Sequence, residues 1–351
     1  MRKQTLNTLE VFRYACVNQV QCVNWDRETI QRIENQLLSA PKLSRLHALI
    51  YQHAIERDHL DWFSSNFQIK LKLSTYSIIA DIGAKKNEIN HLAQLLEGHD
   101  LTVLLLKGLA FNGYIYRDNA PRGSSDIDIL INPQDKNKFC DVLQQMATFV
   151  APNTVDAFGG MFEETWRVNN TSAVYFDLHW YLSYPSLFTF NTAEMASRSI
   201  KHPIYESEII RLLSNEDHIV YLASHLLKDC DFFHYGLIDC HELICQQDPE
   251  LTKCFLIAEQ WGIKTGLYYL LKQSKELQHT PIPQSILMHN KPNFFRNKMC
   301  NFALNKLFTK PSLLKTSFHR VKQLFAVFLF SDSVTRVVKH NLIYIKRAVQ
   351  P

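Results

Sequence analysis

The chain has 351 residues, 46% of them hydrophobic and 21% charged, with a net charge of +4. This is the balance of an ordinary globular protein, and no apolar run reaches the roughly 18 residues of a membrane span, which excludes fibrous, disordered and membrane-spanning classes. No apolar leader core opens the chain and the eight cysteines form no CxxC pair; they are expected to be reduced thiols of a cytoplasmic protein, not a disulfide frame or a zinc site.

Residues 5–98 have helical periodicity, with apolar residues three or four apart in Leu6, Leu9, Tyr14 and Val17 and again in Ile30, Ile33, Leu37 and Leu38. Leu43 and Leu60 open further helical stretches, and the run from Phe67 to Leu96 is helical over most of its length until Gly98-His99-Asp100 stops it. The pattern then turns β-like. "LTVLLLKG" predicts a buried strand at 102–106, and "LAFNGYIYR" a helix starting just after Gly108. "DIDILIN" predicts a second strand, followed by a helix over "PQDKNKFCDVLQQM" with Pro133 in its first turn. "MFEETWRVN" and "SAVYFDLHW" predict two more strands, joined at the turn-prone Asn169-Asn170. Helix resumes at about 215, with Ser214 or Asn215 as its N-cap and acids in its first turn.

The expected organisation is a helical region at 1–98, an α/β core at 99–200, a helical domain at 201–290 and a basic helical tail at 291–351. The tail holds twelve Lys and Arg against one acid, Asp332, while the rest of the chain is net negative. Such asymmetry suits a polyanionic partner, RNA among them, or an anionic membrane surface; a solvated basic face on packed helices gives the same composition.

Three stretches carry chemistry. In "RGSSDIDILI", strand alternation places Asp126 and Asp128 on one face and Ile127, Ile129 and Ile131 on the other. Neighbouring carboxylates repel and are costly to desolvate, and a hard divalent cation, Mg²⁺ or Mn²⁺, relieves both problems. An edge strand with two solvated acids fits the same letters. In "SAVYFDLHW", Tyr175, Asp177 and His179 share a face, so Asp177 is either a third metal carboxylate or a buried acid paired with an arginine such as Arg167. In "LLLKGLAFNG", a strand ends at Lys107-Gly108, where glycine permits close backbone approach to a phosphate and lysine adds a charge. Arg122, with Ser124 and Ser125 beside it, either grips a phosphate at two points or pairs with an acid and fixes the turn.

Taken together, "LLLKGLAFNGYIYRDNAPRGSSDIDILI" and "VYFDLHW" resemble a family of uncharacterised bacterial nucleotidyltransferases in the superfamily typified by DNA polymerase β, similar also to AbiEii-type toxin nucleotidyltransferases. "LSNEDHIVYLASHLLKD", "GLIDCHELI" and "IAEQWGIKTGLYYLL" extend the likeness over roughly residues 40–280. The resemblance implies an α+β fold with a small mixed-sheet core between helical regions. It implies transfer of a nucleoside monophosphate from an NTP such as ATP to an acceptor, with Asp126, Asp128 and Asp177 as catalytic metal ligands. It implies phosphate contacts at Lys107, Gly108, Arg122, Ser124 and Ser125. His179, His225 and Asp239 either line the cleft or serve the interior. The superfamily usually has Gly-Gly or Gly-Ser where this chain has Gly108-Leu109, so a module that binds nucleotide or a partner without turnover is the competing expectation, as is membrane-surface association through the tail.

Overall fold

The computed structural model describes residues 3–16, 25–150, 162–171, 174–229, 235–306 and 325–349. Helices α1 (Lys3–Ala15), α2 (Arg27–Ser39), α3 (His47–Glu56) and α4 (Ser65–Leu95) come first. Side-chain caps set two of their starts. Asp26 accepts from the Thr29 N–H at 2.7 Å and Ser64 from the Phe67 N–H at 3.4 Å, satisfying donors that a helix leaves open at its N-terminus. Helix α4 has 31 residues, a rod of about 46 Å. Its first half buries Phe67 and Leu71 among the other N-terminal helices, and its second half buries Ile82, Ile89 and Leu92 against a sheet.

That sheet is mixed and seven-stranded: β1 (Val103–Leu105), β2 (Ile127–Leu130), β3 (Ala147–Val150), β4 (Glu163–Val168), β5 (Tyr175–His179), β6 (Ile200–Lys201) and β7 (Ile210–Leu212), in the order β3-β4-β5-β2-β1-β7-β6. The β2/β5 and β1/β7 pairs are parallel and the other four are antiparallel. Alternation gives the faces different tasks. Val103, Leu105, Ile127, Ile129, Phe176 and Leu178 pack on one side with α4 and with Phe139 of a helix α6 (Lys136–Leu143), which follows the one-turn helix α5 (Lys107–Phe111). Leu104, Leu106 and Leu130 join the helical core on the other side. The fold is α+β, with helices flanking a mixed-sheet core.

The chain then adds α7 (Thr192–Arg198), α8 (Asn215–Asp229), α9 (Tyr235–Gln247), α10 (Leu251–Trp261), α11 (Lys264–Gln278), α12 (Gln284–His289), α13 (Phe294–Lys306), a helical segment at 325–330 and α14 (Val334–Val349). Ser214 is the N-cap of α8, its Oγ accepting from the Asp217 N–H at 3.1 Å. Asp332, the one acid of the basic segment, accepts from the Thr265 N–H at 3.1 Å and so caps α11. No helix among the described residues is long and apolar enough to cross a membrane.

Local expectations fail in three places. The helix expected to start after Gly108 and run through "LAFNGYIYR" is the single turn of α5, because Gly113 adopts a left-handed φ of 80° and the chain turns there. The helix expected from Pro133 begins as a 3₁₀ turn at Pro133–Asp135 before α6. Strands β3, β6 and β7 have no counterpart in the sequence reading, and β7 extends the sheet beyond residue 200 by pairing with β1. Part of the basic segment, 307–324, lies outside the described residues.

Candidate active site

Asp128 of β2 and Asp177 of β5 are direct register neighbours on parallel strands, and Asp126 sits just before β2. One carboxylate oxygen from each lies within 4.8 Å of the others, close enough for one ion to be shared. Their face is the one turned to the helical core, since Ile127, Ile129, Phe176 and Leu178 take the opposite side. On β4, Thr165 is the register partner of Asp177 and donates to its Oδ1 at 2.9 Å. Arg167, the alternative partner for Asp177, is exposed.

The two central acids have opposite electrostatic settings. Burial works against the charge on Asp128, but the Lys107 ammonium at 2.7 Å and His179 Nε2 at 3.2 Å, both on Oδ1, hold its carboxyl well below the usual range. Asp177 is pushed up to about 6 by burial first and then by Asp128 and Asp126. A carboxyl near 6 is a group able to gain and lose a proton near neutrality.

Lys107 sits at the turn between β1 and α5 with a left-handed φ of 52°, a conformation that costs a non-glycine residue about 1–2 kcal/mol. Burial opposes its charge, but Asp128 and then Tyr221 of α8 outweigh it and hold the ammonium well above its ordinary value. Gly108 faces the Arg122–Ser124 segment. A Cβ at residue 108 would lie 2.8 Å from Arg122 Nη1 and 3.0 Å from Ser124 Oγ. A side chain at residue 108 would therefore have to displace the Arg122 guanidinium, whether or not a ligand is bound.

Arg122 is buried, and its guanidinium is committed to Asp239 of α9, with Nη2 donating to Oδ2 at 2.6 Å and Nε to Oδ1 at 2.7 Å. Of the two sequence readings for Arg122, the geometry matches the turn-fixing ion pair rather than the phosphate grip, and the acid is on a distant helix rather than on β2. Asp239 also accepts from Tyr116 Oη at 2.7 Å and is wholly buried under the turn, not at a cleft surface. Ser124 Oγ donates to the Asp126 carbonyl at 3.0 Å, and Ser125 Oγ to the Asp126 carboxylate at 2.8 Å. His179 joins the acids: Nε2 meets Asp128 while Nδ1 lies 3.4 Å from Glu163 Oε2. His225 is one turn along α8 from Tyr221, the ring centroids 6.1 Å apart.

Four residues of this neighbourhood escape sequence reading. Glu163 and Thr165 follow from alternation on β4 once the β4/β5 register is known. Tyr221 is one apolar-face residue among many on α8. Lys85 is a buried lysine near the middle of α4, donating to Asp81 Oδ2 at 2.6 Å and to the Ser124 carbonyl at 2.6 Å, so it holds the serine turn from below; the i, i+4 spacing of Asp81 and Lys85 was its only signal.

No curated protein matches the chain. A family model described as "uncharacterised nucleotidyltransferase" matches residues 34–279, which contain every site residue named above. On that match the chain belongs to the family of uncharacterised nucleotidyltransferases.

Proposed function

We propose that the protein transfers a nucleoside monophosphate from an NTP to an acceptor hydroxyl or phosphate, releasing pyrophosphate, with Mg²⁺ or Mn²⁺ held by Asp126, Asp128 and Asp177. The observation that carries this reading is the meeting of three carboxylates, from two parallel strands and the approach to one of them, beside the Lys107 ammonium. The donor set is all hard oxygen, as those cations require, and burial first and then the charges of Asp128 and Asp126 raise Asp177, costs that a cation would relieve. When bound, the cation supplies charge neutralisation for the triphosphate and acidifies the attacking hydroxyl.

The chain's own groups do the rest. Lys107 stands where a phosphate oxygen approaching the acids gains a fixed positive charge. His179, between Asp128 and Glu163, fixes the orientation of the Asp128 carboxylate. Asp177, set beside the ion with Thr165 donating to its Oδ1, is the carboxylate placed to help take the acceptor's proton. Arg122 acts on the site through the turn it ties to α9. The excess of bases after residue 291 supports a polyanionic acceptor such as an RNA end, since clustered Lys and Arg give sequence-independent phosphate affinity. A protein or small-metabolite acceptor is the alternative.

A label-transfer assay tests this. The protein is incubated with each α-labelled NTP, Mg²⁺ or Mn²⁺ and a cell extract, beside an Asp126→Ala/Asp128→Ala variant. Label entering RNA, protein or a small molecule only with the parent is the expected result. Equal labelling by the variant removes the acids from the chemistry. Metal-dependent NTP binding with no transfer to any fraction selects the non-catalytic reading, which the Gly108-Leu109 turn favours.

A further inference from the structure

A second cluster of metal-type donors lies away from the sheet, between the end of α1 and the middle of α9. Cys16, His241 and Glu242 are 2%, 1% and 0% exposed, and one donor atom from each falls within 4.8 Å of the others. Cys245, one turn beyond His241 on the same helix, brings a second sulfur to 3.7 Å from His241 Nε2. Cys245 stands outside the 4.8 Å set of the other three, and its Sγ is also 4.0 Å from His241 Nδ1, so it flanks the ring and reaches a shared ion only by turning its side chain.

The surroundings match a metal site in a second respect. A ligating imidazole normally donates its other ring N–H to a neighbour, which fixes the tautomer. Here His241 Nδ1 lies 2.9 Å from Thr280 Oγ1, and Thr280 Oγ1 is in turn 2.5 Å from Ser274 Oγ. An ion would then be held through Nε2. Glu242 accepts from Gln246 Nε2 at 2.9 Å, which orients its carboxylate. The cluster is too enclosed for substrate, which argues against a catalytic thiol and for a structural ion.

We propose that Cys16, His241 and Glu242 form the core of a structural zinc site, completed by Cys245 once its side chain turns toward them, that pins the N-terminal helix α1 to α9. Two thiolates, an imidazole and a carboxylate suit a borderline-soft tetrahedral cation and not Mg²⁺ or Ca²⁺. On binding, each thiol releases its proton to solvent as a zinc–sulfur bond forms, the imidazole binds neutral through Nε2, and no redox change occurs. The site lies on the same helix as Asp239, two residues from it, so the ion would steady the α9 segment that holds Arg122 and the turn before β2. Neither cysteine pair spacing nor a motif announces such a site, because Cys16 and His241 meet only in the fold; the sequence expectation of thiols without a zinc site is the alternative that the experiment decides. It is independent of the nucleotidyltransfer reading.

The test is metal content of the full chain, purified without chelator and again after incubation with zinc and gel filtration. About one tightly held zinc per chain is expected, reduced at least about tenfold in Cys16→Ser/Cys245→Ser and unchanged in Asp126→Asn/Asp128→Asn, which separates this site from the acids of the sheet. Substitution by Co²⁺ in the parent should give the intense near-ultraviolet absorption of thiolate–cobalt bonds, a readout that does not depend on any variant folding. Absence of both bound zinc and that absorption overturns the proposal, as does full zinc retention by the double-serine variant.

Discussion

Arg122 and Asp239 are 117 residues apart in the chain and meet as a buried two-point ion pair, at 2.6 and 2.7 Å. The pair ties the turn before β2 to helix α9, and the Arg122 guanidinium also lies 5.1 Å from the centre of the Tyr235 ring. A buried pair is costly to break, because the survivor is left charged and unmatched. Asp239→Ala should therefore lower unfolding free energy by about 3–5 kcal/mol, while Arg122→Met/Asp239→Leu should recover most of that loss. Chemical denaturation of the three proteins checks it, and equal destabilisation in the single and double variants would count against the pair.

Lys107 is the main counter-charge of Asp128. Lys107→Met should lower nucleotidyl transfer by about 10²–10³-fold, the usual effect of removing one fixed stabiliser from an active site. The loss should appear in turnover more than in NTP binding. A variant that turns over normally would show that the ammonium serves only to neutralise a buried acid.

Asp177 gives a pH-dependent prediction. Its carboxyl is raised from 3.8 to about 6 in the folded chain, so the folded state holds more protons than the unfolded state between those values. Stability without metal should fall as pH rises through that window and level off above it. Asp177→Asn should accordingly stabilise the metal-free protein by about 1–3 kcal/mol at pH 7 and by little below pH 4. Added Mg²⁺ should reverse the order at pH 7, raising the melting temperature of the parent and not of the variant. Thermal melts at two pH values with and without Mg²⁺ decide this.

Gly108 separates packing from ligand binding. Gly108→Ala places a methyl 2.8 Å from Arg122 Nη1, and such overpacking costs about 1–3 kcal/mol. The loss should appear in the nucleotide-free protein. A melting temperature unchanged from the parent would mean that the Arg122–Ser124 segment yields easily.

The sequence showed the central strands and their faces well. "DIDILI" and "VYFDLHW" alternate so regularly that the apolar side and the acid side of β2 and β5 follow from a period of two. The N-terminal helices were legible for the same reason, at a period of 3.6. What was missed depends on register or distance. Thr165 and Glu163 become site neighbours only through the pairing of β4 with β5, and Asp239 reaches Arg122 only through the docking of α9. Strands β6 and β7, two and three residues long, are too short to carry a period. Lys85 carries only its i, i+4 spacing from Asp81, which says nothing of its burial or of its bond to the Ser124 carbonyl.

Helix α4 runs from one hydrophobic core into the other, with Leu71 in the helical core and Ile82 in the core beneath the sheet. A single rod shared in this way is a mechanical shaft. Loosening either end exposes backbone hydrogen bonds that the other end needs intact, so the helical half and the sheet half should melt in one transition and the amides around Lys85 should exchange only when the whole molecule opens.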